Sequence, residues 1–166
     1  DLADRYAGVY TAVGVHPNST ADHWHDRLVD DLRALAQHPK VVAIGEIGLD
    51  YYWDKSPKET QQRALALQLD LAAELGLPVI IHNRESSADV IAMLAASPLA
   101  HTGNPGVLHS FSADWATAES ALDMGFYLGF TGPVTFKKAG ELRQIGRQTP
   151  AERILVETDA PFLTPQ

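Results

Sequence analysis

The sequence predicts a parallel α/β domain, and three observations carry that expectation. Short runs that are apolar throughout alternate with longer amphipathic ones, in a βα period repeated six times. The apolar runs lack polar alternation, which fits parallel strands covered on both faces. Ionisable residues stand at the carboxyl end of nearly every run, where parallel α/β folds bind ligands. A doubly wound sheet and a (β/α)₈ barrel both satisfy this pattern. A barrel takes about 250 residues, so 166 residues would supply six of its eight strands, an incomplete barrel.

Taken in order, the strand-like runs are Tyr10 to Val15, Val41 to Glu46, Pro78 to His82, Gly106 to His109, Phe126 to Thr131 and Ile154 to Glu157. Between the first two, Leu28, Leu32 and Leu35 share one helical face. Leu65, Leu69 and Ala72 do the same in the next helix, which Gly76 and Pro78 bring to a stop. Further helices are expected over about Glu85 to Ala96, Asp114 to Met124 and Lys137 to Gly146. No linker, repeat or low-complexity stretch divides the chain, so residues 1–166 are expected to form one domain.

Composition narrows the function. The chain is 45% hydrophobic and 20% charged, as in a globular domain. It has no apolar stretch of about 18 residues and no basic region followed by an apolar run at its start, so no membrane partner is expected. No obligate protein partner is evident. With no cysteine, any metal must take nitrogen and oxygen ligands; a reducing cytoplasm is the compatible location. Thirteen Lys and Arg against 21 Asp and Glu give a net charge of −8, the wrong sign for coating duplex nucleic acid. Bound cations reverse such a field locally, so a nucleic-acid enzyme stays open. The chain starts at Asp1-Leu2 and stops at Pro165-Gln166, just past a strand, and both ends are expected to be cuts in something longer.

His16, Glu46, His82, His109 and the run Glu157-Thr158-Asp159 end five of the six strands. Parallel strands would bring them to one face. Imidazoles with carboxylates are the ligand set of Zn²⁺, Mn²⁺, Mg²⁺ or Fe²⁺. Taken singly, each has a plainer role: a hydrogen-bonded structural histidine, an ion-paired Glu46, an Asp159 that caps the turn before Pro161. A carboxylate ending a four-residue apolar run is costly unless paired or metal-bound, which favours the shared site. His23, His25 and His38 belong to a polar helical face or its end, Asp30-Asp31 is an exposed acidic pair, and Lys137-Lys138 starts a helix on the surface. Trp24 and Trp115 are expected to pack, whereas Trp53 remains free to stack on a base. Arg84, two residues beyond His82, is the best phosphate clamp, since its fork matches phosphate oxygens.

The segments "GVHP" (Gly14 to Pro17), "AIGEIGLDYY" (Ala43 to Tyr52), "LPVIIHNRE" (Leu77 to Glu85), "GVLHSFS" (Gly106 to Ser112), "TGPVTFKKA" (Thr131 to Ala139) and "ILVETDAPFLTP" (Ile154 to Pro165) occur in this order. Together they resemble the TatD family of metal-dependent deoxyribonucleases. That resemblance implies a TIM-barrel-type hydrolase with two divalent cations, Mg²⁺, Mn²⁺ or Zn²⁺, cleaving single-stranded DNA. It implies Glu46 as the bridging ligand, His82 and His109 as imidazole ligands, and Asp159 as the ligand that orients or deprotonates the attacking water. His16, Asp50 and Arg84 are expected nearby as substrate or supporting contacts. A His-x-His pair on a first strand is typical of the family; His23-Trp24-His25 has that spacing but lies in a helical stretch, so it is not assigned. Ala113 stands where many relatives have glycine. Two strands usually precede "GVHP", so about 50 residues are expected to be missing, and the isolated segment is expected to be poorly stable and inactive or nearly so. Two rival functions remain: a metal-dependent hydrolase of a small amide, ester or lactone, and a binding protein that has lost one metal site.

Overall fold

The apolar runs become a six-stranded parallel sheet whose spatial order equals its chain order: β1 (Thr11–Val13), β2 (Val41–Asp50), β3 (Val79–Arg84), β4 (Gly106–Leu108), β5 (Tyr127–Phe130) and β6 (Ile154–Val156). The computed structural model describes residues 2–25 and 27–166. A doubly wound sheet would reverse its order at a switch point. Here the order runs from β1 to β6 without reversal, the arrangement of a TIM-barrel-type sheet, with β1 and β6 at its two edges.

Helices α1 (Leu2–Arg5), α2 (Thr20–His23), α3 (Leu28–Leu35), α4 (Lys58–Leu75), α5 (Ser87–Ala96), α6 (Trp115–Asp123) and α7 (Gly140–Gln148) fill the connections. The core joins Ile44, Ile47 and Leu49 of β2, Ile81 of β3, Leu108 of β4 and Leu128 of β5 to Leu65, Leu69 and Ala72 of α4 and Val90 and Leu94 of α5. α4 stops at Gly76, whose φ of 66° closes the helix in the left-handed conformation. Asp114 caps α6 by accepting a hydrogen bond from the Thr117 amide at 2.9 Å. Trp115 packs against the core, as expected.

Four local differences from the sequence expectation have physical causes. The third long helix begins at Ser87 and not Glu85, because Glu85 has φ 53°, outside the helical region. α7 begins at Gly140, past Lys137 and Lys138, because Ala139, with ψ 37°, lies outside the helical region. His38 is solvated as expected but also partnered: its Nε2 lies 2.9 Å from Asp4 and its Nδ1 accepts from the Lys40 amide, tying α1 to the start of β2. The fourth is the most consequential. β2 does not end at Glu46 but runs on to Asp50, because a bulge lets it pair with β3 along that whole length.

The bulge is visible in the register. Ile44 faces Val79 and Ile47 faces Ile81, so β2 advances three residues where β3 advances two. From Ile47 to Asp50 the pairing then continues in step, with Gly48 opposite His82 and Asp50 opposite Arg84. Gly48 has φ 145°, and a Cβ there would come within 2.0 Å of the His82 carbonyl oxygen. Only glycine lets the two backbones approach this closely.

Candidate metal centre

The carboxyl ends of the strands carry two histidines, each held between two carboxylates. His82 of β3 lies with Nδ1 2.9 Å from Glu46 Oε1 and Nε2 2.9 Å from Asp50 Oδ2. His109, just past β4, lies with Nδ1 3.0 Å from Glu157 Oε1 and Nε2 3.5 Å from Asp159 Oδ1. His16 completes the first group: its Nε2 is 4.0 Å from Glu46 Oε1, and its ring meets that of His82 edge-on at 4.5 Å.

α4 and the bulge position the first group. Gln61 and Gln68 sit on the apolar face of α4, fully buried. Gln61 accepts from the Asp50 amide at 2.8 Å and donates to the Asp50 carbonyl at 3.1 Å; Gln68 grips Val15 in the same way, at 2.7 and 3.3 Å. Both strand ends are thereby pinned to one helix, one next to His16 and the other at Asp50. Asp50 is 1% exposed, and its carboxylate accepts from the Tyr52 and Trp53 amides, from Asn18 Nδ2 and from His82. It therefore lies beneath His82 and away from the open surface. A carboxylate taking one imidazole N–H leaves the other ring nitrogen for a cation.

The second group is more open. Ser110 donates its amide to Glu157 Oε1 at 2.7 Å, and this carboxylate lies over Gly129 of β5, where a Cβ would come within 1.9 Å of the same oxygen. The Glu157 and Asp159 side chains are 23% and 37% exposed. Arg84 lies at the rim of the mouth, its guanidinium 4.0 Å from the centre of the Tyr52 ring.

Charge follows this geometry. Burial and the neighbouring His82 push the His16 pKa down, which favours the neutral imidazole. Its Nδ1 lone pair is taken by the Asn18 amide at 3.1 Å, so holding a cation through Nε2 requires the ring proton to move. Burial opposes ionisation of Glu46, but the hydrogen bond and charge of His82 outweigh it, and its pKa falls below the usual range. The hydrogen bond to Glu157 raises His109 to about 9 against a smaller effect of burial, so a cation binding there displaces a proton.

His16, Glu46 and His82 offer ligand atoms that all lie within 4.8 Å of one another, the one such group among the described residues. Imidazole and carboxylate donors at this spacing fit a divalent cation. Asn18 Oδ1 is buried with no hydrogen-bond partner, leaving an acceptor open beside Asp50. Of the sequence candidates, Glu46, Asp50, His82 and His16 stand in contact, His109 and Asp159 form the neighbouring group, and Arg84 marks the edge. Glu157 was read only as part of the run Glu157-Thr158-Asp159, without a role, and Asn18, Gln61 and Gln68 were not singled out in sequence. Two glutamines on the apolar stripe of α4 were the available signal. His23, Trp24 and His25 do not join the cluster.

A family profile described as "TatD related DNase" matches residues 1–166. The chain is 42% identical over 165 residues to "Uncharacterized metal-dependent hydrolase YabD" of Bacillus subtilis, covering 99% of this chain and 64% of that protein. It is 41% identical over 166 residues to "3'-5' ssDNA/RNA exonuclease TatD" of Citrobacter koseri, covering 99% and 63%. Among solved structures, the TatD homolog YjjV of Escherichia coli superposes with a TM-score of 0.89 at 36% identity, covering 99% of this chain and 63% of that one. A hydrolase TatD family protein of Entamoeba histolytica follows at 0.80 and 31%, covering 98% and 56%. The chain thus spans about 63% to 64% of the length of these two curated relatives.

Proposed function

The chain belongs to the TatD related DNase family, and from that premise we propose that the natural protein is a metal-dependent nuclease that hydrolyses phosphodiester bonds of single-stranded DNA. The observation that carries this reading is the set of His16, Glu46 and His82 donor atoms within 4.8 Å, with His109, Glu157 and Asp159 alongside. Relatives named as metal-dependent hydrolases and as a single-strand exonuclease support it.

In this reading two divalent cations, Mg²⁺, Mn²⁺ or Zn²⁺, are held by Glu46, His82, His109 and Asp159, with His16 as a further donor. When bound, they lower the pKa of a water to about 7 and neutralise charge on the phosphoryl oxygens. Glu46, placed against both His16 and His82, would serve as a shared carboxylate ligand. Asp50 and Glu157 hold His82 and His109 in place, each by a hydrogen bond to one ring nitrogen. Asp159, beside His109 and partly exposed, accepts the proton of the attacking water. Arg84 meets a substrate phosphate with its fork. No described helix is long and apolar enough to cross a membrane, and action on DNA in the cytoplasm is part of the proposal.

The test is cleavage of a labelled single-stranded oligonucleotide by the natural protein with Mn²⁺ or Mg²⁺, with and without chelator. Chelator-sensitive cleavage is expected, and Glu46→Gln should lower it by more than the roughly 100-fold that loss of an outer hydrogen bond costs a metal site. Absence of chelator-sensitive cleavage overturns the nuclease reading; unchanged activity in Glu46→Gln removes Glu46 from the centre.

A further inference from the structure

β2 and β3 are inner strands, each paired on both sides, and just beyond β2 the chain exposes two large aromatic side chains. Tyr52 is 49% exposed and Trp53 46%. Their rings meet edge to face at 4.8 Å and 88°. Cations gather on them: Arg84 Cζ lies 4.0 Å from the Tyr52 ring centre and 5.5 Å from that of Trp53, and Lys55 Nζ lies 5.6 Å from Trp53. Two exposed rings with a guanidinium and an ammonium are unusual on a chain of net charge −8. Arg84 also lines a cleft of about 470 Å³, where among the described residues it is the one cation beside the carboxylates Glu85, Asp114 and Glu141.

What ties these rings to the metal centre is Asp50. Its Oδ1 accepts from the amides of Tyr52 at 3.1 Å and Trp53 at 3.0 Å, while its Oδ2 lies 2.9 Å from His82 Nε2. One buried carboxylate thus fixes both the backbone of the aromatic pair and the orientation of a metal-binding imidazole. A ligand stacked on the rings is held at a set distance from the reacting phosphate.

We propose that Tyr52 and Trp53, with Arg84 at their edge, form a stacking subsite for the base of a nucleotide neighbouring the scissile phosphodiester, Arg84 meeting that nucleotide's phosphate. The proposal rests on the nuclease reading above and adds to it a contact that requires a base. Every base has a π-face, so such a platform binds without sequence preference. It needs an unpaired base, because the stacked pairs of a duplex do not present their faces to a protein ring.

The test compares binding of fluorescein-labelled dT₁₀ and an abasic oligonucleotide of equal length and charge to the natural protein, by anisotropy in chelator. The wild type is expected to prefer dT₁₀. Tyr52→Ala/Trp53→Ala should bind dT₁₀ roughly five- to fifty-fold more weakly and the abasic strand unchanged, with Trp53→Phe recovering most of the affinity. Both residues are half exposed, and an unchanged thermal melt shows that the fold is intact. Equal binding of the two oligonucleotides by the wild type, or equal dT₁₀ binding by variant and wild type, overturns the subsite. Cleavage with Mn²⁺ is scored separately on the wild type. Cleavage without base-dependent binding removes the subsite and leaves the nuclease; base-dependent binding without chelator-sensitive cleavage does the reverse.

Discussion

The two histidine groups are alike in chemistry and unlike in how the fold holds them. His82 sits between Glu46 and Asp50, both on one inner strand, and Asp50 is sealed beneath the surface with its lone pairs taken by two backbone amides, an asparagine and the imidazole. His109 sits between Glu157 and Asp159, both beyond edge strand β6, with Ser110 as the backbone donor to the pair. The first group is built into the sheet; the second rests on it. A metal centre of the proposed kind would thus have one rigid half that sets position and one accessible half that faces solvent.

Two glycines separate the halves most sharply. Gly48→Ala would press a Cβ onto the His82 carbonyl at 2.0 Å and force an L residue to φ 145°, so backbone must move. A loss of at least about 3 kcal/mol is expected, measured by chemical denaturation of the natural protein. Gly129→Ala meets only the end of the Glu157 side chain, which can swing away. That variant should keep its fold and lose metal affinity. If it unfolds as readily as Gly48→Ala, the proposed contrast between a built-in and a resting half fails.

A smaller effect is expected from the two supporting carboxylates. Asp50→Asn should weaken Mn²⁺ binding toward the upper end of the roughly 10- to 100-fold range for such partners, and Glu157→Gln toward the lower end. Calorimetric titration of each variant measures this, and the reverse order would place the rigid half at His109. Smallest is the cap of α6, which touches neither group. Hydrogen bonds from the Thr117 side chain and amide hold the Asp114 carboxyl below its ordinary pKa. Its stabilisation is therefore present above the unfolded-state pKa and lost as pH falls through the folded one. Asp114→Ala should narrow the stability difference between neutral and acidic pH, read as thermal melts, without changing metal affinity.

The halves also differed in how far the sequence disclosed them. Strand after strand of apolar residues ending in His or Glu is a pattern visible in one dimension, and Glu46, His82, His109 and Asp159 became candidates that way. The choice between a doubly wound sheet and a barrel was not visible from periodicity, because it depends on strand order. Nor was the bulge: "EIGLD" carries two carboxylates and a glycine and reads as the end of a strand, yet β3 approaches closely enough to continue it. Glu157 against His109 is a pairing between residues 48 positions apart in the fold's own register, set by β5 and β6, and local pattern has no access to it. The buried glutamines of α4 looked like ordinary helix formers until the strand ends they hold were in place.

The bulge in β2 has a last consequence, for what the gene can tolerate. His82 reaches Glu46 with one nitrogen and Asp50 with the other, so the spacing of those residues along β2 must bring both carboxylates to the same side of the sheet. Removing or adding one residue there would turn one of the two to the opposite face of the sheet. Insertions and deletions cannot be absorbed in this segment, whereas the exposed stretch around Gly103 has room for both.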